Sequence, residues 1–292
     1  MSFQKEFDKA KETYKSGRYR KAVDLWSSLI ESEKQEKTEP PLKIAEALSE
    51  LGKAYRQIAE FEKGEQALEK ACDLYVQQGE DKSLSMAMVL NERGLIASEQ
   101  ADIRKADEIL NRALEICRSN NDGDLEESAE ILNSLGLAAW RAGDDMAAFS
   151  YYQEALAMRE SVLGKDHNDY AETMDNIGVV HQRCIEFSKA EICHREALAI
   201  RERCLDRNHP DLGYSIVNLA ESLKHLGQTA EYESMYKRTI DIWQKSLGEK
   251  HPNVATATSN LGLYYLSCGR LNDGKECFEK ALAIKKEIFG PV

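Results

Sequence analysis

Small residues return to one slot of this chain at a constant step of 42 positions: Ala10, Gly52, Gly94, Gly136, Gly178, Ala220 and Gly262. Twelve positions further on stand Ala22, Gly64, Ala106, Ala148, Ala190, Tyr232 and Gly274. Seven beyond those come Leu29, Ala71, Ala113, Ala155, Ala197, Thr239 and Ala281. Small side chains let two helices approach closely, whereas a bulky one holds them apart and opens voids. Five of the seven units are small at all three places, so each unit is read as an antiparallel helix pair with a tight internal contact. Such a pair cannot bury its apolar stripe alone, and neighbouring pairs must stack into a core that runs along the array. The pattern predicts an all-α solenoid of seven antiparallel helix pairs, one domain over 1–292, with units at about 3–44, 45–86, 87–128, 129–170, 171–212, 213–254 and 255–292.

The first helix of a unit is expected over about its first 14 places and the second from about place 18. Turns between them fall at Ser16-Gly17, Ala142-Gly143-Asp144, Leu226-Gly227-Gln228 and Cys268-Gly269-Arg270, where glycine can take the positive φ of a helix C-terminal cap. Three units have Ala59, Ala101 or Ile185 there instead. Between units, Leu163-Gly164-Lys165-Asp166-His167-Asn168-Asp169, Leu205-Asp206-Arg207-Asn208-His209-Pro210-Asp211 and Leu247-Gly248-Glu249-Lys250-His251-Pro252-Asn253 are versions of one linker. Gly ends a helix, Pro prevents its continuation, and Asp169, Asp211 or Asn253 is expected to cap the next helix. Thr38-Glu39-Pro40-Pro41 and Asn120-Asn121-Asp122-Gly123 are expected to do the same in the first half.

At 42% hydrophobic and 31% charged residues with five prolines, the composition is that of a helix-rich protein. The longest apolar runs are too short for a membrane span, and the start, from Met1 to Glu6, has no apolar signal region; a cytoplasmic protein is expected. Cys184 and Cys268 share one place, as do Cys193 and Cys277, two units apart in each case. Residues that far apart along a solenoid do not approach disulfide distance, so free thiols are expected. The formal net charge is −12. Residues 45–128 carry 10 basic and 19 acidic side chains, and residues 213–292 carry 10 and 9, a poor footprint for nucleic acid or anionic lipid.

Leu51-Gly52-x-x-Tyr55 and Leu261-Gly262-x-x-Tyr265, with the Leu-Gly-x-x-His-Pro linker, resemble the tetratricopeptide repeat family, specifically the 42-residue kind found in kinesin light chains. The resemblance spans the chain and implies a right-handed superhelix whose first helices line a concave groove for a peptide. No heptad segment precedes Phe3, so motor association is not expected from this chain. The last linker breaks off at Phe289-Gly290-Pro291-Val292; Leu282, Ile284 and Ile288 before it suggest either a truncated chain or an end that pairs with something.

In such a family, places 2, 5, 6, 9, 12 and 13 of a unit face the ligand. Place 6 reads Asp8, Glu50, Glu92, Ser134, Asn176, Asn218 and Asn260. An amide offers both a donor and an acceptor, so a row of asparagines can grip the backbone of an extended peptide; the resemblance implies the same role. Place 13 adds Arg141, Arg183 and His225, place 12 adds Trp140 and Lys224, and place 5 adds Asn133. Together they make a cationic, partly aromatic groove suited to an acidic peptide with an aromatic anchor. Upstream, Glu46, Glu50, Glu92, Glu99 and Glu130 make the same side acidic. The family's clamp for chaperone tails of the Hsp70/Hsp90 type needs lysine at place 2, which no unit has, so that role is not expected.

His181-x-x-Cys184 with Cys193-His194 has a zinc-like spacing. His181 and His194, however, hold the paired core places filled elsewhere by Tyr55 with Leu68 and by Tyr265 with Phe278, so a core role is the simpler account. His167, His209 and His251 are equivalents in successive units, too far apart to share an ion, and are better explained by linker capping. No phosphate-cradling loop, nucleophile elbow or dinucleotide fingerprint occurs. The expected function is a non-catalytic scaffold or adaptor without cofactor or metal. The alternatives are a regulatory peptide-sensing module and the recognition arm of a larger multidomain protein or enzyme.

Overall fold

The computed structural model describes residues 3–36, 38–120 and 125–289, and over these the chain forms fourteen helices and no strand. They are α1 (Phe3–Lys15), α2 (Tyr19–Glu36), α3 (Pro41–Gln57), α4 (Phe61–Gln77), α5 (Leu84–Glu99), α6 (Ile103–Ser119), α7 (Leu125–Ala142), α8 (Asp145–Leu163), α9 (Asn168–Arg183), α10 (Phe187–Cys204), α11 (Pro210–His225), α12 (Tyr232–Leu247), α13 (Pro252–Ser267) and α14 (Leu271–Phe289). Odd-numbered helices are the first helices of the repeat, even-numbered ones the second. The chain divides into two compact units, Met1–Val162 and Leu163–Val292. In the first, α1 packs on α2, α3 on α4 and α5 on α6; in the second, α9 packs on α10, α11 on α12 and α13 on α14.

The 42-residue slot is a close-packing requirement. A Cβ added to Gly52 would lie 2.5 Å from Leu68 Cγ, to Gly94 2.5 Å from Leu110 Cγ, to Gly136 2.6 Å from Tyr152 Cε1, and to Gly178 2.5 Å from His194 Cε1. In each case a large side chain sixteen positions later, on the second helix, lies across the glycine, and these partners are themselves fully buried: Leu68, Leu110 and His194 at 0% exposure and Tyr152 at 1%. Hydrophobic cores follow the same logic. The first unit closes over Trp26, Leu68, Leu110, Ile131 and Leu132, and the second over Leu212, Ile216, Tyr236, Trp243 and Val254.

The helix starts differ from expectation. First helices begin three or four residues before the sequence-assigned unit, at Pro41, Leu84, Leu125, Asn168, Pro210 and Pro252. The caps shift with them. His167, His209 and His251, not Asp169, Asp211 and Asn253, are the N-cap residues. Each imidazole Nδ1 accepts from the backbone N–H two residues on, at 3.2 Å from Asp169, 3.3 Å from Asp211 and 3.1 Å from Asn253. Asn168, Pro210 and Pro252 are already helical, which leaves the histidine as the last extended residue, and an accepting Nδ1 must be unprotonated. Burial lowers the His251 pKa, which favours that neutral form. Pro40 is the extended residue before α3, without a side-chain cap. Asn121, Asp122 and Gly123 lie outside the described residues.

The turns inside the pairs use one backbone geometry whatever the residue. Gly17, Gly143, Gly227 and Gly269 have φ of 76°, 86°, 73° and 75°, and Ala59, Ala101 and Ile185 adopt 59°, 62° and 63° at the same place. Three non-glycine residues are therefore held in a left-handed conformation that costs about 1–2 kcal/mol each. The sixth repeat is irregular in another way: α12 starts three places later than the other second helices. Tyr232, buried at 5%, stands there in place of a small residue and packs its ring on Tyr236 and Tyr264. A ring in a slot built for a methyl group displaces the first turn.

Candidate functional site

Along α9, α11 and α13 the accessible side chains form one stripe per helix. On α9 they are Glu172, Asn176, Val179, Gln182 and Arg183; on α11, Tyr214, Asn218, Glu221, Lys224 and His225; on α13, Thr256, Asn260, Leu263, Leu266 and Ser267. Spacings of three and four keep each set on one helix face, and the 42-residue period brings Asn176, Asn218 and Asn260 to corresponding points of the three stripes. All three are half-buried.

The asparagines are set by different neighbours. Asn260 Nδ2 donates to Tyr236 Oη at 3.3 Å, and Tyr236 Oη is 3.4 Å from Tyr232 Oη, so this amide is oriented by a buried tyrosine pair. Gln182 Nε2 donates to the Asn218 carbonyl at 2.8 Å and to Ser222 Oγ at 2.9 Å, fixing α11 against α9 at this level. The carboxamide of Asn218 makes no hydrogen bond to another described residue, leaving two donors and an acceptor for something else. Lys224 and His225 both reach Glu221, at 3.1 and 3.2 Å. The His225 ring lies parallel to Phe187 with centroids 4.1 Å apart. Much of the Lys224 charge is thus offset at its source, a pairing that the short spacing from Glu221 signals. Arg183 is exposed at the C-terminal end of α9.

Beneath the stripe lies a polar knot that the sequence reading did not identify. Asp175, Arg201, Ser215 and His194 are between 0% and 5% exposed. Asp175 Oδ1 is 2.8 Å from His194 Nδ1, and its Oδ2 accepts from Ser215 Oγ at 2.5 Å and from Arg201 Nη1. Arg201 Nε also donates to Asn168 Oδ1 at 3.1 Å. A buried carboxylate is tolerated only when so satisfied, and the knot locks α9, α10 and α11 together directly behind Asn176. His181 Nδ1 is 2.7 Å from Glu186 Oε2; the two histidines of the zinc-like spacing thus meet different carboxylates. Among the described residues no group of three or more His, Cys, Asp or Glu is placed to hold a metal ion.

In the first unit the corresponding face is built of ion pairs. Arg56 Nε is 2.8 Å from Glu92 Oε2 and its Nη1 is 3.0 Å from Glu99 Oε1. Lys53 lies 3.7 Å from Glu92 and 4.0 Å from Glu130, and Lys11 3.9 Å from Glu50. Arg141 Nη1 donates to Ser98 Oγ at 3.2 Å, and its Nη2 is 3.8 Å from Glu99. Burial pushes the Glu92 carboxyl up, but Arg56 and Lys53 more than offset it and hold the pKa below the ordinary range. Burial likewise works against the Lys53 ammonium, and Glu92 and Glu130 reverse it. Of the three candidates here, Asn133 is buried at 6% exposure, Trp140 is half-buried and Arg141 is exposed. No described helix is long and apolar enough to cross a membrane.

Several solved structures share this architecture. BtubC (BKLC) from P. vanneervenii is 22% identical, with a TM-score of 0.60 over 79% of this chain and 92% of that one. A Rap protein complexed with competence and sporulation factor is 14% identical, with a TM-score of 0.75 over 98% of this chain and 75% of the other. The Rap conjugation gene regulator of plasmid pLS20, in complex with the Phr* peptide, is 17% identical, with a TM-score of 0.75 over 98% and 74%. No curated protein sequence matches. The family model described as tetratricopeptide repeat matches residues 43–119, 127–203 and 211–287, and with that coverage, and helices paired in sequence throughout, the chain belongs to the tetratricopeptide repeat family.

Proposed function

We propose that this chain is a cytosolic, non-catalytic module that senses an extended peptide segment through the first-helix stripes of its second unit, and that its seven pairs act as one array. The observation that carries the reading is Asn218. Its carboxamide stands accessible and without a hydrogen-bond partner among the described residues, between equivalents at Asn176 and Asn260. A peptide backbone running across α9, α11 and α13 would meet the donors and the acceptor of Asn218 at the middle rung. Arg183 and the parts of Lys224 and His225 not engaged by Glu221 would favour an acidic residue near α9 and α11. The likeness to two Rap structures, one complexed with competence and sporulation factor and one with the Phr* peptide, supports a regulatory, peptide-sensing role. The resemblance of the repeat and linker motifs to kinesin light chains favours a second reading, a static adaptor.

The test is a binding titration with a peptide selected on the full chain. Backbone hydrogen bonds are worth about 0.5–1.5 kcal/mol each, so Asn176→Ala, Asn218→Ala and Asn260→Ala together should weaken affinity at least about tenfold while the melting temperature stays nearly constant. Equal affinity for parent and triple variant would remove the asparagines from the account. Scattering with and without peptide separates the two readings, since a sensor changes its dimensions and a static adaptor does not.

A further inference from the structure

Between Lys250 and Arg270 the chain has no Asp, Glu, Lys or Arg, so α13 is an uncharged helix in a protein of net charge −12. Its accessible stripe also differs from its neighbours. Leu263 is 57% exposed and Leu266 40% exposed, one and two turns after Asn260. The two hydroxyls of this stripe are engaged by the helix's own backbone: Thr256 donates to the Pro252 carbonyl at 3.1 Å and Ser267 to the Tyr264 carbonyl at 2.7 Å. Leu266 lies down against α14 because Gly274 leaves room for it; a Cβ there would be 2.8 Å from Leu266 Cδ2. The result is a shallow aliphatic shelf with one oriented amide at its edge.

We propose that this shelf is the specificity subsite of the peptide face and that it takes an aliphatic side chain, Leu, Ile, Val or Met, from the bound segment. The inference rests on the peptide-binding reading and adds what that reading leaves open, the chemistry of one ligand residue. On α9 and α11 the stripes carry Glu172 and Arg183, and Glu221 with Lys224 and His225; a charged ligand residue finds an opposite charge there. Over α13, which carries no charged side chain of its own, it would lose water without a partner on that helix, whereas an aliphatic group covers the two leucines and removes apolar surface from water on both sides. The amide of Asn260, held by Tyr236, then fixes the ligand backbone next to the shelf.

Panning a phage-displayed library of short random peptides on the full chain tests this. Selected sequences should share an aliphatic residue at one fixed position, and Leu263→Asp, a change at an exposed site, should cost those peptides at least tenfold in affinity and redirect the position to Lys or Arg on reselection. Leu263→Ser should weaken the same peptides without redirecting them, and circular dichroism should be unchanged in both. If the selected peptides bind Leu263→Asp as well as the parent but lose affinity for the Asn218→Ala chain, the shelf is overturned and peptide binding stands. If no sequence is enriched, or enrichment survives the triple asparagine variant and Leu263→Asp alike, both inferences fall.

Discussion

The same place in the repeat does opposite work in the two units. At place 6 of the third repeat, Glu92 is 5% exposed and bound by Arg56 from the preceding repeat. At place 6 of the sixth, Asn218 is accessible, and the preceding repeat's Gln182, from the same place as Arg56, grips its backbone carbonyl instead of its side chain. In the first unit the stripe is therefore occupied by its own charges. In the second it is braced from behind, through Gln182 and the Asp175 knot, and the Asn218 carboxamide is left open. On the proposed reading, internal ion pairs close the first unit's stripe while the second unit's keeps Asn218 for a ligand.

The largest expected effect comes from breaking that closure. Glu92→Leu leaves the buried Arg56 only its pair with Glu99 and the half-buried Lys53 its longer contact to Glu130, and should destabilise the first unit by up to about 3–5 kcal/mol, the cost of removing one partner of a buried pair. Denaturant melts followed by amide exchange on α3 and α5 measure it, and Arg56→Leu added to Glu92→Leu should restore part of the loss. Asn218→Leu, at the matching place, should leave stability within about 0.5 kcal/mol, as accessible positions do. Equal costs at the two places would erase the comparison.

Acid should separate the units in a definite order. His251 has a folded pKa below its unfolded value of 6.5, so its cap is fully present above that value and is lost as pH falls through the folded pKa. Glu92 also has a depressed pKa; its contribution is present above the unfolded value of 4.5 and disappears only below it. The start of α13 should loosen first, by about 1 kcal/mol, the usual worth of an N-cap, and the ion pairs of α3 and α5 should fail later. His251→Asn supplies a capping oxygen that does not titrate, and should keep α13 protected through the first window in a pH series of amide exchange.

The smallest effect concerns strain. Ile185 has φ of 63° and is 76% exposed, so Ile185→Gly relieves a left-handed β-branched residue at little packing cost. Offset by the larger entropy of glycine in the unfolded chain, the net gain should be about 0.5–1 kcal/mol. A thermal melt that falls below the parent would show that Ile185 makes contacts worth more than its strain.

What could be read without coordinates follows from this same division between packing and pairing. The glycine slot was legible because its cause is local and repeats: a Cβ at Gly94 or Gly178 would collide with the residue sixteen positions on. The asparagine row was legible by the same arithmetic. The left-handed turns at Ala59, Ala101 and Ile185 were not, because the fold imposes there a geometry that the residue itself disfavours. Capping by His167, His209 and His251 was only half legible, since the sequence marks the linker but not which residue keeps an extended backbone. The acidic side read upstream and the cationic groove read over repeats four to six came from counting charges along helix faces; Arg56, Lys53 and Glu221 show that partners for such charges come from one turn away or from the next repeat. The knot around Asp175 was hidden because its members come from three helices and share no periodic place.

Hydrogen exchange on the full chain, with and without a peptide selected on it, addresses the central claim most directly. The account predicts added protection along α9, α11 and α13, greatest near Asn176, Asn218 and Asn260, with α3 and α5 unchanged. Protection gained on α3 and α5 while α9, α11 and α13 exchange as before would contradict it.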